Sequence, residues 1–140
     1  MSRSSGSRRR VPAAVIGALS CVLVSSVFTA AQGGADAAAH KQWMNDASDA
    51  QEDFRFAVSG KDQKLAVEAL GKLEGLMTRT EEYWAARKAA DGVRFASEAR
   101  ALAHDAAAAA TSGNLSAAGE AFAKMGTACN ACHDLHLERK

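Results

Sequence analysis

The chain has 140 residues, enough for one small domain. With 17 basic and 16 acidic residues it is close to neutral and carries no basic stripe, which argues against a nucleic-acid partner. There is no Gly-rich phosphate loop, no Ser/His/Asp arrangement and no defensible carboxylate pair, so the expectation is a protein that is not an enzyme.

The N-terminus has a positive segment, Ser7-Arg8-Arg9-Arg10, followed by an apolar stretch over 11–31 with only small or hydroxyl interruptions. Thr29-Ala30-Ala31 and Ala35-Asp36-Ala37 each offer small residues at the −3 and −1 positions of a signal-peptidase site. Residues 1–31 are therefore expected to be a secretory signal peptide, with cleavage as late as 37 and a periplasmic domain over 37–140. The apolar run is about long enough to span a bilayer, so membrane association is expected only if the segment stays uncleaved. Cys21 follows Ala18-Leu19-Ser20, a poor lipobox, and leaves with the signal. Cleavage after residue 31 removes four arginines and no acid, which takes the basic count of 17 to 13 against 16 and the mature charge to about −3.

The only proline, Pro12, lies in the leader, and the remainder reads as helix throughout. Helix A is expected over about 37–58, with Trp43, Ala47, Ala50, Phe54 and Ala57 at 4-3-4-3 spacing and Met44 beside that stripe. Ser59-Gly60 should end it through a C-terminal glycine. Helix B is expected over about 62–89, with a stripe of Ala66, Leu70, Leu73, Met77, Thr80 and Trp84. Gly71 and Gly75 cost helix propensity, so close approach of a neighbour is expected there. Helix C is expected over about 91–111, with Phe95, Ala99, Leu102, Ala106 and Ala109 facing inward. Its run from Ala106 to Ala110 should either pack tightly or leave room for a bulky group. Asn114 or Ser116 should cap the next helix. Helix D, about 115–138, keeps a strict 3-4 repeat through Leu115, Ala118, Phe122, Met125, Cys129, Cys132 and His136. Four amphipathic helices with short turns predict an all-α antiparallel four-helix bundle.

Helix D contains Cys129-Asn130-Ala131-Cys132-His133, the attachment signature of a c-type haem. Residues three apart share a helix face, so both thiols can add to the vinyl groups of one porphyrin, and His133 can follow as proximal axial ligand. A thioredoxin-like pair would want a βαβ context, which is missing. Cys129, Cys132, His133 and His136 span about 10 Å of helix at 1.5 Å per residue, too far for one tetrahedral zinc. Because both cysteines lie on the core stripe, the bundle is expected to enclose a single covalent haem c. His104 reads as a surface residue, His136 as lining the haem edge, and His40 as a ligand only if the N-terminus folds back. Trp43 and Trp84 are expected to pack on each other or on the porphyrin, and Arg87 or Arg139 to pair with propionates.

A four-helix chain whose C-x-x-C-H lies on its last helix resembles the cytochrome c prime superfamily over about 37–140, most closely through Gly126-Thr127-Ala128-Cys129-Asn130-Ala131-Cys132-His133. The family usually places an aromatic and a basic residue three and four past the histidine, where this chain has His136 and Leu137. The resemblance implies a short, low-spin relative with Met44 as sixth ligand. That would be a six-coordinate electron-transfer protein working with redox partner proteins. The alternative it implies is a five-coordinate protein that binds NO or CO as a small gas ligand. Relatives of this kind also imply a homodimer through the early helices.

Overall fold

The computed structural model describes residues 25–136, with side chains from Asp36 onward. Residues 1–24, which hold Cys21 and most of the predicted leader, and residues 137–140, which hold Leu137 and Arg139, lie outside the described residues. Four helices follow in order: α1 (Ser25–Gly60), α2 (Gln63–Ala86), α3 (Ala90–Thr111) and α4 (Leu115–His136). No strand occurs among the described residues. The fold is all-α and consistent with an antiparallel four-helix bundle, as the periodicity predicts. Among the described residues no helix is long and apolar enough to cross a membrane. The expected start of helix A at 37 needs correction. Alanine-rich sequence carries α1 back to Ser25, straight through Gly33-Gly34.

All three connections are the same device. At the end of α1, Lys61 N–H donates to Val58 C=O (3.2 Å) and Asp62 N–H to Ala57 C=O (2.8 Å). Lys88 and Ala89 repeat the pair on Ala85 and Trp84, and Gly113 and Asn114 on Ala110 and Ala109. These are Schellman turns, in which one left-handed residue lets two amides satisfy the last orphan carbonyls. The left-handed residue is Lys61 (φ 55°), Lys88 (φ 56°) or Gly113 (φ 82°), so Gly60 is the last helical residue and not the left-handed one. The residue after each left-handed position starts the next helix. Asp62 accepts from Leu65 N–H and Asn114 from Ala117 N–H, both at 3.0 Å, so Asn114 and not Ser116 is the cap. Ala89 provides no such bond.

Consecutive helices pack along their lengths, α1 on α2, α2 on α3 and α3 on α4. Phe54, Leu70, Leu73 and Met125 are the largest fully buried side chains. On α3 the buried line is Phe95, Ala99, Ala103, Ala106 and Ala110. It keeps Phe95, Ala99 and Ala106 of the expected stripe and takes Ala103 and Ala110 in place of Leu102 and Ala109, which are half-buried. Ala106 and Ala110 are wholly inaccessible, so the alanine run serves tight packing. Gly71 and Gly75 are exposed, with no neighbour within 4 Å of an added Cβ, which corrects the close approach expected there. The glycine that does allow one is Gly92, whose added Cβ would lie 2.5 Å from Trp84 Cγ.

The turns give a first prediction. A left-handed non-glycine residue costs roughly 1–2 kcal/mol, and glycine gives back about 0.5–1 kcal/mol in chain entropy. Lys61→Gly and Lys88→Gly should each raise the urea midpoint by the equivalent of up to about 1 kcal/mol at unchanged slope. Gly113→Ala should lower it by about 1–2 kcal/mol.

Candidate functional site

The two ends of the bundle differ. At the end holding the C-terminus of α1 and the N-terminus of α4, Phe54 meets Phe122 with ring centroids 4.5 Å apart. The α1 and α4 backbones make few close approaches along their length, and toward the other end a cavity of about 560 Å³ opens between the helices. Its apolar walls include Leu73 and Met77 of α2, Phe95 and Ala99 of α3, and Met125 of α4. Volumes of about 300–1,000 Å³ with mostly apolar walls are typical of cofactor sites.

Each residue the sequence singled out lines this one cavity: Cys129, Cys132 and His133 from α4, and Met44 from α1. The 3-4 repeat of α4 explains the first three. It turns Met125, Ala128, Cys129 and Cys132 inward, while His133, next in line, sits exposed at the rim. The cysteines are free thiols. Burial pushes the Cys129 thiol up, with the neighbouring Cys132 adding to the effect. Burial, then the charge of Asp91, pushes Cys132 up as well. Both therefore stay protonated near neutral pH, the opposite of the depressed thiol that a dithiol oxidoreductase needs.

His40 reaches the same cavity without any folding back of the N-terminus, because α1 continues through it. It lies one turn before Met44 and so shares its face. Its ring stacks on Tyr83 (centroids 3.9 Å apart, planes 7° apart) and meets Trp84 and Trp43 edge-on at 5.5 and 6.3 Å. The two tryptophans thus both meet His40, which differs from the first of the two expected arrangements, direct packing on each other. Burial, followed by the charges of Arg87 and His133, lowers the His40 pKa and keeps its ring neutral. Its Nε2 is buried and has no hydrogen-bond partner.

His136 also lines the cavity and packs on Trp84 at 4.3 Å. Its Nε2 lies 3.1 Å from Asp91 Oδ2, a charge contact joining the start of α3 to the end of α4. His104 is on the surface, 3.1 Å from Glu74. Arg87 lies over the Tyr83 ring at 3.5 Å, and its Nη1 donates to Tyr83 C=O at 3.3 Å. Asp91 and Gly92 carried no signal in the sequence. His40 could have been found as the residue four before Met44.

Among the described residues no three His, Cys, Asp or Glu side chains converge on a point where a bare ion would bind. A macrocycle makes a smaller demand, since it brings four donors of its own and takes one or two from protein. The present residues fit such a group in three respects: a large apolar cavity, two cysteines on one helix face with a histidine beside them, and an unsatisfied imidazole nitrogen on the opposite helix.

Gly92→Ala should push Trp84 out of place, with a loss of about 1–3 kcal/mol and a change in tryptophan fluorescence. The Asp91 carboxyl is held below its usual range, first by Gly92 N–H, against an opposing effect of burial, with the neighbouring His136 adding to the lowering. A depressed carboxyl stabilises the fold above its unfolded pKa and loses that contribution as pH falls through the folded value. Acid titration of stability below about pH 4 should therefore be shallower in Asp91→Asn than in the wild type.

Comparison of the chain with family models, with curated proteins and with solved structures finds no match in any of the three.

Proposed function

We propose that the chain is an exported monohaem c-type cytochrome of the cytochrome c prime kind, carrying single electrons between redox partner proteins in the periplasm. The observation that carries this reading is the convergence of Cys129, Cys132 and His133 on one apolar cavity of about 560 Å³, faced by α1. Apolar cavities that stay dry are several times smaller, of the order of 150 Å³, so one this large suits a resident group.

When bound, a haem supplies a one-electron iron couple. The chain's own residues do the rest. Each cysteine S–H adds across one vinyl C=C, the sulfur bonding one carbon and the proton going to its neighbour, so no oxidant is consumed. His133 of α4 would hold the iron, and Met44 and His40 are the donors that α1 could add from the same cavity. Apolar walls exclude water, which favours a buried iron whose surroundings change little when its charge changes. The exposed rim at His133, with Leu135 beside it 63% exposed, leaves one edge accessible to a partner.

The second reading is a five-coordinate protein binding NO or CO, and the apolar walls from Leu73, Met77 and Phe95 favour it. Carbon monoxide separates the two. A carrier with both axial positions filled resists it, whereas a vacant position takes it at once.

Export of the chain in a host that attaches haem c should give a band that stains for haem after denaturing electrophoresis. Cys129→Ala with Cys132→Ala should abolish the stain. His133→Ala should retain the stain and lose the low-spin spectrum. An exported, folded chain without covalent haem would overturn the reading.

A further inference from the structure

Three buried polar atoms around the cavity have no hydrogen-bond partner, His40 Nε2, Trp84 Nε1 and His136 Nε2. The indole nitrogen is no metal donor and His136 Nε2 has Asp91 Oδ2 at 3.1 Å, which leaves His40 as the anomaly. A buried polar atom without a partner costs about 1–3 kcal/mol and calls for an explanation. Met44, one turn further along the same face, poses no such problem, because a thioether is satisfied by packing alone. The imidazole is not a loose surface ring. Tyr83 stacks flat on it, and Trp43 and Trp84 box it in. His40 from α1 and His133 from α4 line the same cavity.

We propose that His40, in place of Met44, is the second axial ligand of the bound haem, giving a bis-histidine site with His133. This rests on the haem reading above and names the donor that α1 supplies. Ligation satisfies the orphaned Nε2, and Met44 becomes part of the cavity wall. Two imidazoles hold a lower potential than the imidazole and thioether pair that the family resemblance implies.

The test uses the exported, haem-loaded chain and reads iron ligation by electron paramagnetic resonance and near-infrared magnetic circular dichroism. The expected wild-type spectrum is low-spin bis-imidazole. Met44→Ala should leave it unchanged. His40→Ala should convert the iron to a high-spin form that binds CO. His40→Met should restore a low-spin site with the methionine-to-iron charge-transfer band and a raised midpoint potential, and it stands as the informative variant should His40→Ala not fold. A wild-type methionine band that disappears in Met44→Ala and persists in His40→Ala would overturn the proposal and leave the cytochrome reading intact. A five-coordinate wild-type iron would also overturn it. Absence of haem stain would overturn both together.

Discussion

The open end of the bundle, where a cavity of about 560 Å³ lies between the helices, is the constraint on which the rest depends. Helices lined by alanine approach closely, and α3 brings Ala103, Ala106 and Ala110, all wholly inaccessible, to the closed end. At the open end the inward residues are large: Trp84 and Tyr83 on α2, Phe95 on α3, Met125 and His136 on α4. Such side chains hold backbones apart, and here they leave a space they do not fill. The turns help to keep it open. Three Schellman connections with no spare residues fix the offset of each helix on the next, but no connection joins α1 to α4. Phe54 on Phe122 joins that pair at one end, and at the other the His40 cluster reaches α4 through Trp84 of α2, which meets His136.

Placing the C-x-x-C-H on the core stripe of α4 turns an attachment motif into part of the fold. Cys129 lies among core side chains, and both thiols are pushed up by burial. Thioether links there would tie a large apolar body to the same stripe that already buries Ala118, Met125 and Ala128. The hydrophobic contribution of that body is of the kind a short chain lacks, since small domains bury a limited share of their surface.

How much was legible in the sequence follows from how local each signal is. The four helices, the inward face of α4 and the gathering of Cys129, Cys132 and His133 depend on 3.6-residue periodicity and could be read directly. The turns could be read only in part. Gly113-Asn114 announces a left-handed residue followed by a cap, whereas Lys61 and Lys88 adopt that conformation without any compositional sign. Gly71 and Gly75 misled because propensity marks a glycine as unusual without saying which neighbour it faces. Gly92 matters because Trp84 arrives from the preceding helix, a tertiary fact. His40 is a further case: its place beside the cavity depends on Tyr83 and Trp84 arriving from α2, which spacing within α1 does not show.

The ring contacts around His40 bear on how the cavity treats whatever it holds. A side chain that must be ordered on binding carries an entropy cost of about 1–2 kcal/mol per ordered residue. A side chain already held by its neighbours carries less of it. His40 is restrained by a stack on Tyr83, itself covered by Arg87, and by the edges of two tryptophans. One of these, Trp84, also meets His136, and His136 meets Asp91. The α1 side of the cavity is thus linked through α2 to the end of α4 that carries His133. A change in ring position on one side must be accommodated across the same aromatic contacts on the other. For an electron carrier this coupling is useful, because a site that moves little between charge states has little to rearrange.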